Sequence, residues 1–208
     1  MDNYRMNRTL LSLVVALALT ILFAACGERL RTGDLVFVCA DTTGMDAAIS
    51  AATTDKSTCD YSHVGIIEAC DSGTFVIDAT PQYGVSRHSL REFGAENGEL
   101  HYYRVKGYDN GNEWVGNAKR YVGRPYDFYF LPDNDKFYCS ELVEKCCVAP
   151  DGTPIFEPKP MNFLSADGTM PDYWVNLFDS LGVAVPQGAM GTNPNDFVKS
   201  GKLQRIDF

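Results

Sequence analysis

Histidine is scarce in this 208-residue chain: there are three, His63, His88 and His101. Chemistry that needs an imidazole therefore has a short list of candidates. Past residue 26 no basic run stands out, and 18 basic residues against 27 acidic ones leave a net charge of −9. A phosphate backbone is held by clustered lysine and arginine, so nucleic acid is excluded as a partner. None of the seven cysteines has the CxxC spacing of a zinc site. No metal and no cofactor is expected. No repeat and no low-complexity segment interrupts the chain, so one α+β domain is the economical reading.

What the N-terminus does contain is an address. Arg5 and Arg8 precede an apolar run, Leu10 to Ala25, that ends in Leu22-Phe23-Ala24-Ala25-Cys26. A basic start, a short apolar stretch and small residues before a cysteine read as a lipoprotein signal peptide over 1–25. The run is shorter than the ~20 apolar residues a spanning helix wants, which favours this over a plain anchor. Cys26 then carries lipid, residues 26–32 form the lipidated cysteine and its tether, and 33–208 form the domain. This places the protein in a bacterial cell envelope, periplasmic or on the outer-membrane side, with the membrane as partner through the lipid. Such a compartment permits disulfides. The remaining cysteines are irregularly spaced, however, and a domain of this size needs no staples.

Hydrophobic pattern organises the domain. Leu35-Val36-Phe37-Val38-Cys39 reads as a buried strand, and the alanine-rich 45–52 as a helix. Tyr61 to Glu68 and Thr74 to Ala79 flank the turn residues Cys70-Asp71-Ser72-Gly73 and predict a β-hairpin. Ser89 with Glu92 fits a capping box. Leu100 to Val105 alternates like a strand. Asn112 to Val122 is a helix ended by Gly123, and another helix starts at Cys139. Residues 149–172 are rich in proline, glycine and aspartate and read as loop. A helix over 173–181, a short helical turn and a last strand over 203–208 complete the chain.

A cysteine at a helix start, after the polar loop Pro132-Asp133-Asn134-Asp135-Lys136, lies where free backbone N–H groups favour an anion. The alternative is a small buried residue on an amphipathic helix. A thiol nucleophile needs a base and something to orient that base. His88 lies in the polar stretch Ser86-Arg87-His88-Ser89 and is expected in solvent. His101 sits beside two tyrosines on a strand. His63 begins an apolar strand, as a site residue or as a satisfied core histidine. An even-numbered hairpin loop would pair Asp78 opposite Gly65 and make it the diagonal neighbour of His63 on the same face. Asp78 could otherwise be a turn residue. Glu68 points to the other face and is rejected. Cys139, His63 and Asp78 are thus the candidate triad, with the Cys139 N–H as one oxyanion donor.

These residues resemble the permuted papain-like amidases of the YiiX/YaeF type, a branch of the NlpC superfamily of cell-wall peptidases. The matching pieces are Gly33-Asp34-Leu35-Val36-Phe37, Tyr61-Ser62-His63-Val64-Gly65, Gly123-Arg124-Pro125-Tyr126-Asp127 and Tyr138-Cys139-Ser140-Glu141-Leu142-Val143. Gly191-Thr192-Asn193-Pro194 matches more weakly. The resemblance implies a papain-like (circularly permuted NlpC-type) core, with an antiparallel sheet packed against the helix that carries the cysteine. It implies Cys139 as nucleophile, His63 as base and Asp78 at a position often held by glutamate. Tyr126, with Tyr61 and Tyr138, falls on the substrate and oxyanion side, although Tyr126 could simply pack under its loop. The function implied is an amidase or peptidase acting on peptide or amide substrates, murein peptides among them. A lipid acyltransferase or thioesterase on the same fold would show a long apolar groove. A non-catalytic binding lipoprotein would be expected to have lost the cysteine or the histidine.

Overall fold

In a computed structural model, residues 28–53, 59–132 and 134–207 are described, and Leu30–Ile206 forms one unit. The signal peptide and the lipid site Cys26 lie outside the described residues. Among the described residues, no helix is long and apolar enough to cross a membrane.

In chain order the elements are β1 (Leu35–Cys39), α1 (Gly44–Thr53), β2 (Tyr61–Cys70), β3 (Gly73–Thr80), β4 (Gly84–Ser89) and α2 (Leu90–Glu96). They continue with β5 (Leu100–Val105), α3 (Gly111–Tyr121), α4 (Cys139–Cys146), β6 (Lys159–Pro160), α5 (Asp172–Leu181), β7 (Met190–Gly191), α6 (Pro194–Lys199) and β8 (Leu203–Ile206). Six strands pair antiparallel in the order β4-β3-β2-β1-β5-β8. The stretch 149–172 is irregular apart from an isolated bridge at Pro154, the two residues of β6 and Asp172, which opens α5. The stretch Ser86–Ser89, expected in solvent, is instead the end of strand β4, paired to β3. Its Ser89 caps α2 in the reciprocal arrangement read from the sequence.

The α+β arrangement follows from two apolar faces. Leu35, Phe37, Ile66 and Ile77 bury one face of the sheet with Leu142 and Val143 of α4. Val36, Val38, Ile67 and Val76 gather around Phe93 of α2 on the other. The β2–β3 turn is tight: Cys70 pairs with Gly73, leaving Asp71 and Ser72 as a two-residue loop. That even count sets Asp78 against Gly65, as the hairpin argument required.

A bulge breaks the period of β2. Val38 faces His63 but Cys39 faces Tyr61, so Ser62 is the extra residue. Beyond it, His63 stacks near Phe93 at 6.1 Å, whereas Tyr61 turns into the main core against Phe37 at 5.2 Å. The start of β2 is fixed from far along the chain. Asn195 accepts from the Tyr61 N–H at 2.8 Å, and its amide donates to the Tyr61 carbonyl at 3.2 Å and to Thr53 Oγ1 at 2.7 Å. Asn193, next to Pro194, caps α6 and holds Asn195 in place. The Gly-Asp motif of β1 has a similar duty. The buried Asp34 carboxylate takes a two-pronged bond from Arg104, both arms 2.8 Å. Gly33, at φ +92°, lies back to back with Gly111, where a Cβ would come within 2.3 Å of Cα.

The sequence leaves the disulfide status of Cys39, Cys59, Cys70, Cys146 and Cys147 open, and the structure joins Cys39 to Cys59, with Cα atoms 6.2 Å apart. The two residues come together across the segment that β1 and β2 bracket, a proximity that irregular spacing does not reveal.

Candidate active site

Cys139 is the first residue of α4, which packs on β2 and β3. Its N-cap, Tyr138, is extended and lends no side-chain oxygen to the first turn. The amides of that turn are therefore open to an anion beside the thiol.

His63 Nε2 lies 2.6 Å from Asp78 Oδ2. A carboxylate can only accept, so Nε2 carries the hydrogen and Nδ1 is left without one, with Cys139 near enough to act on the charge of the ring. Burial opposes charge on the ring, but Cys139 and Asp78 outweigh it and lift His63 to about 10. Burial alone would also raise Asp78. The bond from His63 and the nearby His88 imidazole instead hold it below the usual carboxylate range. Gly65 makes the approach possible, since a Cβ there would stand 3.2 Å from Asp78 Cβ and 2.5 Å from Val76 Cγ1.

His88 is a correction. It is not in solvent: its Nε2 is 3.0 Å from Asp78 Oδ1, an ion-pair contact, and its ring meets Phe93 edge-on at 5.6 Å. The contact is off-line for a hydrogen bond by strict angle, yet it raises the His88 pKa through Asp78. Sequence reasoning missed His88 because four polar residues in a row look like surface. Strand pairing puts one of them opposite Val76, inside the sheet.

The three tyrosines separate. Tyr126 and Tyr138 line a cavity with Cys139. Tyr126 donates to Met45 Sδ at 3.7 Å, and the Tyr138 hydroxyl accepts from Thr192 N at 3.2 Å. Burial and the nearby Cys139 push the Tyr126 phenol well above its ordinary value. Tyr61 is not on the cavity wall, because the bulge at Ser62 turned it into the core. There its hydroxyl meets His101 Nδ1 at 2.6 Å and Tyr103 at 2.8 Å. Glu68, rejected as orienter, is tied to Arg87 and Lys119.

The cavity beside Cys139 has a volume of about 60 Å³ and apolar walls that include Ile49, Phe130, Met161 and Phe163. Phe130 is held at φ +52°, a costly conformation for an aromatic residue. The loop is fixed by the buried Asp127, whose carboxylate accepts from the N–H groups of Tyr129 and Leu131, both at 2.9 Å. Three buried polar atoms on the cavity wall have no partner: Ser62 Oγ, Thr192 Oγ1 and Trp174 Nε1. An apolar recess with three free hydrogen-bonding groups beside a thiol suits an acyl group with a carbonyl or amide attached. No motif pointed to Ser62 or Trp174; Thr192 sits in the weakly matching Gly191–Pro194 stretch.

Behind α4, burial and the neighbouring Asp127 raise Glu141 to about 8. A carboxyl raised in the fold stabilises the protein while protonated and loses that contribution as pH rises from about 4.5 toward 8. Glu141→Gln should therefore be more stable than the wild type at pH 9, by on the order of 1 kcal/mol, and equal to it near pH 4. Denaturant titrations at both pH values measure this, and an equal gain at both would point to packing instead.

One cluster of potential ligands lies outside the Cys139 site, with its two cysteines joined as the disulfide. Cys39, Cys59 and His101 bring three potential ligand atoms within 4.8 Å of one another. They come from β1, from the approach to β2 and from β5, so a search for local spacing could not find them.

A family model described as "Permuted papain-like amidase enzyme, YaeF/YiiX, C92 family" matches residues 29–207. The uncharacterized protein YiiX of Escherichia coli (strain K12) is 29% identical over 138 residues, which span 64% of this chain and 64% of that protein. A crystal structure described as metalloprotein yiiX from Escherichia coli O157:H7 is similar in fold. It has a TM-score of 0.71 and 26% identity, covering 86% of this chain and 98% of that one.

Proposed function

Because the chain belongs to the permuted papain-like amidase family, YaeF/YiiX type, we propose that it is a cysteine amidase of cell-envelope peptides working through Cys139, His63 and Asp78. The observation that carries this reading is the 2.6 Å bond between His63 and the buried Asp78 carboxylate, with Cys139 near enough to act on the charge of the same ring.

The chemistry follows from those contacts. His63 takes the thiol proton, and Asp78 holds the ring so that Nδ1 faces the sulfur. The thiolate adds to the amide carbonyl, and the oxyanion forms against the Cys139 N–H at the open helix start. His63 returns its proton to the leaving amine as the carbon–nitrogen bond breaks, leaving a thioester. Water, deprotonated by the same ring, adds to the thioester and releases the acid and the thiol. Tyr126 and Tyr138 shape the acyl side of the cleft. The substrate class proposed is the murein-type peptide, at a bond beside D-glutamate and a diamino acid. The envelope location rests on the lipoprotein pattern ending at Cys26.

The apolar walls favour a second reading, in which the acyl group comes from a lipid ester or amide. Volume argues against a long chain. With each water needing about 10–15 Å³, this cavity takes a few waters or one modest side chain.

A thiol-directed electrophile tests the nucleophile. Peptide mapping should show Cys139 alkylated faster than Cys70, an exposed free cysteine, and a Cys139→Ala chain should keep only the slower reaction. Labelling of the variant at the wild-type rate would sink the assignment. Offered side by side, muropeptides should be cleaved and acyl lipids left intact; the reverse outcome selects the lipid reading.

A further inference from the structure

A group of potential ligands stands apart from the Cys139 site, where β1 ends. Cys39 is the last residue of β1, Cys59 precedes β2, and His101 lies on β5 beside β1. His101 Nδ1 is 3.9 Å from Cys39 Sγ. Its other nitrogen, Nε2, is 2.9 Å from Glu99 Oε1. The carboxylate only accepts, so Nε2 carries the hydrogen and Nδ1 turns a lone pair toward the sulfurs. A histidine that ligates a metal is commonly oriented in this way, its far N–H given to a carboxylate.

At present the Tyr61 hydroxyl occupies that lone pair, at 2.6 Å. The same hydroxyl lies 2.8 Å from Tyr103, so it keeps a partner when Nδ1 is taken. The spacing also suits an ion. A tetrahedral zinc bound about 2.3 Å from sulfur and about 2.1 Å from nitrogen keeps those ligands about 3.6 Å apart.

We propose that, when the Cys39–Cys59 disulfide is reduced, Cys39, Cys59 and His101 bind a zinc-like divalent cation. The pair then has two forms, a disulfide without metal and a Cys2His metal site. A dithiol or phosphine reductant supplies the two electrons, and solvent or the dithiol supplies two protons, so that both sulfurs become thiols while the reductant is oxidised. Cation binding releases those two protons. Two thiolates cancel the charge of the ion, which removes the main cost of holding it in a mostly buried place. His101 adds a neutral nitrogen, and water completes the fourth position. None of these residues takes part in the chemistry proposed for Cys139.

The test uses the chain carrying Cys139→Ser and Cys70→Ser, so that the active-site thiol and the exposed one are silent. It is reduced with a phosphine under argon and titrated with Co²⁺. Sulfur-to-cobalt charge-transfer bands with tetrahedral visible bands should appear and then vanish when Zn²⁺ is added. Cys59→Ser should abolish the charge-transfer intensity expected for two thiolates. Glu99→Gln, at a largely exposed side chain, should keep the fold and weaken Co²⁺ binding about ten-fold or more. Absent bands in the reduced chain would overturn the proposal. So would bands unchanged by Cys59→Ser, wild-type affinity in Glu99→Gln, or loss of circular dichroism on reduction, since the ligands would then no longer converge.

Discussion

Asparagine in place of Asp78 should lower turnover about 10³- to 10⁴-fold without unfolding the protein. Asp78 is buried, and its two oxygens face two imidazoles: Oδ2 is 2.6 Å from His63 and Oδ1 3.0 Å from His88. Asparagine fills the same space but presents only one acceptor oxygen and an NH₂ group. If the NH₂ faces His63, Nε2 must become the acceptor and the ring hydrogen moves to Nδ1. The nitrogen facing the thiol then cannot take its proton. If the amide turns the other way, the neutral oxygen no longer stabilises the imidazolium. The loss should fall on kcat, with KM little changed, because Asp78 is not on the cavity wall.

The pH profile separates this from simple damage to the fold. In the wild type His63 is raised to about 10, so activity that needs the imidazolium should persist in alkali and fall as pH rises through about 10. The sign for stability is the same. A raised histidine contributes fully below its ordinary 6.5, and the contribution is lost as pH climbs toward about 10. Removing the Asp78 charge should move the alkaline limb of the profile to lower pH. An Asp78→Asn chain with an unmoved limb and near-normal kcat would show that the carboxylate only fills space.

Much of this arrangement was legible because it depends on short-range rules. The two-residue turn at Asp71-Ser72 fixes strand parity, and parity alone puts Asp78 beside His63. The helix start at Cys139 is announced by the polar loop before it. What escaped depends on contacts between distant parts of the chain or on a single break in periodicity. The bulge at Ser62 reverses the sense of alternation, so Tyr61 could not be kept off the cavity by counting in twos. His88 looks solvated until β3 and β4 are paired. Asn195 reaches back to Tyr61 across 134 positions, and Cys59 meets Cys39 only once β1 and β2 are laid side by side. A local pattern carries no trace of these.

Gly65 is where local pattern and distant packing meet, and alanine there should remove both activity and stability. The glycine is needed for lack of a side chain, not for an unusual backbone. A Cβ at this position would lie 2.5 Å from Val76 Cγ1, closer than non-bonded carbons come, and 3.2 Å from Asp78 Cβ. Val76 packs against Ile67 and Phe93 with no exposed surface, so it cannot simply swing away. Either it leaves its rotamer or β3 shifts off β2, and overpacking of this kind costs about 1–3 kcal/mol. The shift matters more for chemistry than for folding. Asp78 is two residues from Val76 on the same strand, and a displacement of about 1 Å at a positioned group can cost about 100-fold in rate. Gly65→Ala should therefore retain a cooperative unfolding transition at lower denaturant while losing most of its turnover, and Cys139 should be alkylated more slowly. Full activity in a destabilised Gly65→Ala chain would mean that the His63–Asp78 contact tolerates the shift, and that the orientation of the ring is set elsewhere.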